Sequence, residues 1–426
     1  MITMEHAEIT EHAQSIANAA YQLTTDGTIQ RAYPWQATLY AQLSNVKNDA
    51  GILLTAPTGA GKLEGVIIPS LGLRRGGAPR RVFVIEHDGS SLDDSVYRLT
   101  PYLRASAAAD GVVRTLYTDR PDADPAESPC WSYLPDGTED RTACWNPLEA
   151  NVDLVLTTFS RFRELFFGGG GVHALPSALG VEEGETERRD LFFFNDAHGY
   201  SIDEFSQFHK LVEFLFAEDM DVIVASSNLP EGFREELSFL EPVQVNENAF
   251  ETRRTVQCID APDPVAVMSA EVRARYFQNS RAGVVVNSVQ DATTVFASLS
   301  EAYPHSVFLY HEAMPVKQRQ TVYAQLRELE KEGEGYLLCC TGTVLETSDL
   351  DLSLLVTTLC PPENLILRMG RCNRRGDLPC GELIIVGKTI DHNSTYRTMN
   401  RDQLAGYTTA IESNTSADDS YFRQFI

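Results

Sequence analysis

From residue 51 onward the chain sets short, wholly apolar runs between longer amphipathic ones. GILLTA (51–56), RVFVIE (81–86), VDLVLTT (152–158), LFFFNDAH (191–198) and DVIVASS (221–227) read as buried strands. A helix is expected from Lys62 and another over about 203–217. After about residue 255 the rhythm restarts, with strands at AGVVVNS (282–288), SVFLYH (306–311), GYLLCCT (335–341), LSLLVTT (352–358) and GELIIVG (381–387). A charged helix is expected over roughly 315–332. Strands apolar on both faces, alternating with helices, predict parallel α/β sheets. Two series of similar size predict two tandem lobes joined near 250–260. The expected division is a polar helical lead-in over 1–32, a first lobe over 33–255, a second over 256–390 and a polar tail over 391–426. Pro34-Trp35-Gln36 is expected to break the lead-in, with a helix at TLYAQL after it. The stretch 118–147, rich in Asp, Pro, Ser and Thr, predicts an insertion or exposed loop, and Gly168 to Gly171 a flexible loop.

Composition narrows the function classes. A chain of 426 residues is long enough for two or three well-buried domains. No apolar run approaches the roughly 20 residues of a membrane helix, and the acidic start MITMEHAEITEHAQ is unlike a signal peptide. The expectation is a cytoplasmic protein with no membrane partner. Eight cysteines without a CxxC pair are expected to be reduced thiols rather than metal ligands. The net charge of −25 argues against a chain coated in nucleic acid, though not against a basic channel within an acidic shell. Arginine doublets at 74–75, 80–81, 188–189, 253–254 and 374–375 are read, pair by pair, as solvated faces.

Residues 55–63, TAPTGAGKL, carry the first candidate chemistry. Gly59 and Gly61 let backbone N–H groups approach phosphates, the following helix N-terminus adds positive potential, and Lys62 can reach the β- and γ-phosphates. The structural alternative is a tight strand–helix turn with a surface lysine. Phosphate loops place Ser or Thr after the lysine, where its hydroxyl helps hold magnesium; here that residue is Leu63.

Later segments extend the pattern. PWQ holds Gln36; VDLVLTTFSRF holds Thr157 and Thr158; FFFNDAHGYS, IVASSNLPEGFREEL and a long segment from Thr341 through LILRMGRCNRRGD follow in order. In that order the chain resembles a superfamily 2 helicase and, more narrowly, the helicase part of the type I CRISPR helicase–nuclease, over roughly residues 30–390. The resemblance implies two RecA-like lobes, ATP and magnesium as cofactors, and 3′ to 5′ translocation on single-stranded DNA. It implies a glutamine, Gln36, that reads adenine, and a phosphate loop with Thr58, Gly59, Gly61 and Lys62. It places Thr157, Thr158 and Thr341 on the DNA backbone, and Asp196 and His198 in the catalytic motif after the strand. Arg371 and Arg374, three apart, would share a helix face and act as arginine fingers; the alternative is a surface salt-bridge pair. Asp349 and Asp351 resemble acids that couple nucleotide to DNA grip, or are turn acids.

The departures cluster. The family's Asp-Glu-x-His motif reads Asn195, Asp196, Ala197, His198 here; its Ser-Ala-Thr reads Ser226, Ser227, Asn228; the glutamine opening its last motif is Leu367. Asn is a poorer magnesium partner than Asp, and a carboxylate misplaced by about 1 Å costs on the order of 10²-fold in rate. A shift of one residue would make Asp196 the magnesium acid, helped by Thr58 or Ser226. The family's nuclease carries clustered His and Asp; the one His-Asp dipeptide, His87-Asp88, is expected to be a strand-end turn. Two readings follow. The first is an ATP-driven DNA translocase without its own nuclease, working with a CRISPR surveillance complex and a separate nuclease in antiviral defence. The second is a non-hydrolysing scaffold that binds nucleotide, DNA or partner proteins.

Overall fold

The computed structural model describes residues 35–36, 39, 51–56, 60–73, 81–118, 129–143, 152–167, 190–200, 202–218, 220–227, 229, 231–245, 254–277, 279–374 and 378–387. The lead-in over 1–32, the Gly168–Gly171 loop, Thr58, Gly59, Asn228 and the tail over 391–426 lie outside these residues. Two compact units divide the chain at 246/247. Each is an α/β layer of a mainly parallel sheet flanked by helices, the RecA-like arrangement. No described helix is long and apolar enough to cross a membrane.

In the first unit the sheet is built from β1 (Gly51–Thr55), β2 (Val82–Glu86), β3 (Val113–Thr118), β4 (Pro129–Tyr133), β5 (Glu139–Ala143), β6 (Leu154–Thr158), β7 (Leu191–Phe194), β8 (Asp221–Ser226) and β9 (Glu241–Gln244). Their order across the sheet is β5-β4-β3-β6-β2-β7-β8-β1-β9. The helices are α1 (Lys62–Leu73), α2 (Gly89–Asp110), α3 (Phe159–Phe167), α4 (Ile202–Ala217) and the short α5 (Glu231–Glu236). Strands β1, β2, β6, β7 and β8 are buried almost throughout. That burial is why their sequences read as continuous apolar runs rather than alternating ones. Phenylalanines fill the layer under α3 and α4: Phe83 stacks on Phe192 at 4.8 Å, and Phe194 meets Phe208 edge-on at 5.2 Å.

Two expectations change here. Trp35 and Gln36 are helical rather than a break. The stretch 118–147 is not only a loop, since β4 and β5 form an antiparallel hairpin that extends the sheet beyond β3. Its turn is closed by Leu134 N–H donating to the Thr138 carbonyl and by Asp136 Oδ1 accepting from the Thr138 N–H and hydroxyl. Pro135 and Asp136 sit at this turn, and Asp140 on an edge strand, where polar residues are tolerated.

The second unit carries β10 (Arg254–Ile259), β11 (Arg281–Val286), β12 (Val307–Tyr310), β13 (Tyr336–Thr341), β14 (Leu354–Thr358) and β15 (Gly381–Val386). All are parallel, in the order β10-β15-β14-β11-β13-β12. Its helices are α6 (Pro264–Arg275), α7 (Val289–Ala302), α8 (Val316–Glu332), α9 (Gly342–Thr347) and α10 (Pro362–Met369). Helix α10 ends at Met369, so Arg371 and Arg374 do not share a helix face. They lie in the turn beyond it, where Leu352 and Cys372 bridge in parallel. Asp349 and Asp351 sit in the connection between α9 and β14 rather than on a strand.

Phe192 is fully buried against two other phenylalanine rings. Phe192→Ala is expected to lower stability by about 3–5 kcal/mol in urea unfolding. Phe277, 71 % exposed, is expected to tolerate serine within about 0.5 kcal/mol.

Candidate functional site

In the first unit the parallel strands β1, β8, β7 and β2 lie side by side and end at the same edge, the side on which ligands bind open α/β sheets. Each strand delivers one part of the candidate site there.

From the end of β1 the chain enters the phosphate loop, of which Ala60 and Gly61 are described. Gly61 adopts φ 78°, which favours glycine, and its carbonyl accepts from Gln36 Nε2 at 3.0 Å. The residue expected to read adenine thus braces the loop in this state. Lys62 opens α1, with its Nζ 3.6 Å from Asp196 Oδ1. Leu63, next in line, is buried in the core and offers no oxygen.

From β7 come Asn195, Asp196 and His198. Asp196 takes a left-handed backbone conformation, φ 51° and ψ 48°, which Asp tolerates better than most residues. Neighbouring side chains therefore part ways. The Asp196 carboxylate meets Lys62, while the Asn195 amide turns to β2 and donates Nδ2–H to both carboxylate oxygens of Glu86, each at 3.1 Å. His198 Nδ1 lies 3.2 Å from the Ser226 hydroxyl at the end of β8.

Glu86 is the residue that sequence reasoning missed. It is wholly buried at the end of β2 and also accepts from Ser95 Oγ at 2.5 Å. Burial, with the Asp196 carboxylate nearby, pushes its pKa up to about 8. In sequence it is one acid ending an apolar run, and nothing marks it as a partner of a residue 109 positions away. His87 and Asp88 follow it as expected of a strand-end turn: Asp88 Oδ1 accepts from the Ser91 N–H and hydroxyl and caps α2.

A magnesium ion of the kind the resemblance implies does not fit these residues. Position 63 supplies carbon, position 195 a neutral amide already bound to Glu86, and Asp196 a carboxylate already paired with Lys62. No group of three or more His, Cys, Asp or Glu suited to a metal occurs among the described residues.

The remaining expected residues are placed inside their units. Thr157 and Thr158 are buried; Thr157 donates to the Thr158 carbonyl and Thr158 Oγ1 accepts from the Arg161 N–H. Thr341 is buried and donates to the Glu312 carboxylate. Arg371 is buried, donating to the Leu345 carbonyl at 3.0 Å and to the Glu346 carbonyl. Arg374 bonds Asp349 through Nε at 2.8 Å and Asp351 through its backbone N–H at 2.6 Å. Arg327 pairs with Asp349, and Arg281 with Asp351. The buried Asp351 and the half-buried Asp349 thus frame Arg374. Arg368 is fully engaged as well, reaching Glu346 at 2.6 Å, Thr357 at 2.9 Å and Asn287 at 2.9 Å.

Several arginine doublets also have an inward member rather than a solvated face. Arg81 is buried against Asp190 at 2.6 Å, and Arg254 donates to the Cys372 carbonyl. Burial alone pushes the Cys339 thiol up to about 12, which keeps it unreactive.

A family model described as CRISPR-associated nuclease/helicase Cas3, C-terminal, matches residues 278–377. No curated protein matches the chain in sequence. Among solved structures, T. fusca Cas3 with ADP is similar at a TM-score of 0.65 and 17 % identity, covering 98 % of this chain and 55 % of that one. The DUF1998 helicase MrfA bound to DNA and AMPPNP is similar at a TM-score of 0.64 and 13 % identity, covering 95 % and 53 %. A chain of a CRISPR RNA-guided surveillance complex, pre-nicking, is similar at 0.60 and 16 %, covering 92 % and 50 %. The chain spans about half the length of each of these proteins.

Two outcomes test the placement of these side chains. A Cβ on Gly342 would collide with the Arg368 guanidinium and press on the Glu346 carboxylate that holds it. Gly342→Ala is therefore expected to cost about 3 kcal/mol and to be visible as a lowered thermal midpoint. Glu86 has a folded pKa raised from 4.5 to about 8. Its share of stability is therefore fully present below pH 4.5 and lost as pH rises through 8. Glu86→Gln is expected to flatten that fall, whose steepest slope is about 1.4 kcal/mol per pH unit, in unfolding midpoints measured from about pH 5 to 9.

Proposed function

We propose that the chain, whose fold is similar to that of Cas3 helicase structures, serves as a nucleotide-binding, DNA-handling module of a CRISPR-type defence complex that holds nucleotide far more than it hydrolyses it. The observation that carries this reading is the division of the β7 motif: Asn195 is committed to Glu86, and Asp196 to Lys62. Lys62 and the loop glycine retain what is needed to receive phosphates. Among the described residues, no side chain of the motif remains to hold a metal and orient a water as phosphoryl transfer requires. In this reading the polymer is single-stranded DNA, met beside a CRISPR surveillance complex, with cutting assigned to a separate nuclease. The similarity to T. fusca Cas3 and to a chain of a surveillance complex supports that setting. With a net charge of −25, DNA contact must come from a local basic strip, and affinity should fall steeply with salt.

A second reading, the ATP-driven translocase, is favoured by one contact, His198 on Ser226, which joins the ends of β7 and β8. The test is ATP hydrolysis with magnesium, with and without single-stranded DNA, against Lys62→Ala. The expected outcome is turnover within about twofold of Lys62→Ala, with ADP binding weakened about tenfold or more in that variant, as loss of a charged phosphate contact implies. DNA-stimulated turnover that disappears in Lys62→Ala would instead assign the chain to the translocases.

A further inference from the structure

The pairing of β2 with β7 sets Ile85 opposite Phe194, so the next residues, Glu86 at the end of β2 and Asn195 just after β7, come side by side. Glu86 is 0 % and Asn195 5 % exposed. The amide donates to both Glu86 oxygens at 3.1 Å. Its other end, Asn195 Oδ1, is buried with no hydrogen-bond partner. The geometry sets a donor at 195 against both acceptor oxygens at 86. An aspartate at 195, nearly the same shape, would set two carboxyl groups about 3 Å apart, and two such groups cannot both ionise. They would share a proton, and the introduced carboxylate would be tied to Glu86 rather than presented to a cation.

We propose that Glu86 determines the metal preference of the phosphate site: its carboxylate demands a neutral amide at position 195, and the site takes a nucleoside di- or triphosphate through Lys62 with no divalent cation anchored to the end of β7. The buried Asn195 Oδ1 is left as an acceptor for a water or a ligand N–H or O–H group. The nucleotide part of this proposal rests on the nucleotide-binding reading above; the matching of Glu86 to Asn195 does not. One consequence is that restoring the family's aspartate at 195 is not enough to restore a metal site. The acid on β2 must be neutralised at the same time.

The experiment is a cycle of Glu86→Gln, Asn195→Asp and the double variant, read in two ways. The first reading is the thermal midpoint at neutral pH without metal. Asn195→Asp is expected to lose several degrees. The double variant is expected to recover at least half of that loss, because the amide introduced on β2 can donate to the carboxylate introduced after β7. Losses that simply add would overturn the match, whereas an Asn195→Asp variant that fails to fold while the double variant folds upholds it.

The second reading is Mn2+ binding, followed by its magnetic resonance signal, with and without ADP. Wild type and Asn195→Asp are expected to show no saturable site, and the double variant at least a tenfold tighter one than Asn195→Asp. Equal Mn2+ affinity in Asn195→Asp and the double variant overturns the proposal. So does a wild-type Mn2+ site that vanishes in Asp196→Ala, a result available even if both aspartate-bearing variants fail to fold; its absence then stands for the proposal. ADP binding in EDTA, measured alongside, separates the two claims. If no variant binds ADP, the nucleotide-binding reading fails, while the midpoint cycle still decides the match of Glu86 to Asn195.

Discussion

A carboxylate sealed at the end of β2 has to find donors within the protein, because no water reaches it. Glu86 finds them in Asn195 and Ser95. That requirement organises the candidate site of the first unit. With the Asn195 amide drawn towards β2, the left-handed backbone at Asp196 sends the next carboxylate the other way, onto Lys62. Lys62 and the acid beside it then pair with one another, and His198 lies against Ser226. A single buried carboxyl group thereby sorts the motif's side chains.

The second unit applies the same rule to cations. Arg368, Arg371 and Arg374 follow closely in sequence, and each donates to acceptors of its own unit. Glu346 holds Arg368 and also accepts from Asn364, and Asp349 is shared between Arg327 and Arg374. Buried ion pairs of this kind add little net stability compared with apolar packing, but removing either partner leaves a charge with nowhere to go. Their effect is to tie the connection between α9 and β14 to the described residues that follow α10.

Much of the architecture is legible in the chain because it depends on local periodicity. Apolar runs of five or six residues flanked by amphipathic helices admit few packings other than parallel sheets covered on both faces. The hairpin over 129–143 escapes that logic. An edge pair is selected by its partner strand and its turn, and its composition resembles a loop. The helix face proposed for Arg371 and Arg374 also escapes it: spacing of three permits a shared face, but α10 stops at Met369.

The sequence by itself determined the two-lobed α/β class, a glycine turn at Gly61 ahead of the helix from Lys62, and the absence of a side-chain hydroxyl at Leu63, because each follows from residue type and near neighbours. It also identified position 195 as the place where an acid is missing. Only the tertiary structure decided which acid faces position 195. Glu86 and Asn195 are 109 residues apart and meet because β2 and β7 are adjacent and in register. Burial of the arginines and threonines was likewise a matter of the fold, since a hydroxyl or guanidinium is equally compatible with solvent, DNA or a neighbouring carbonyl until packing supplies the acceptor.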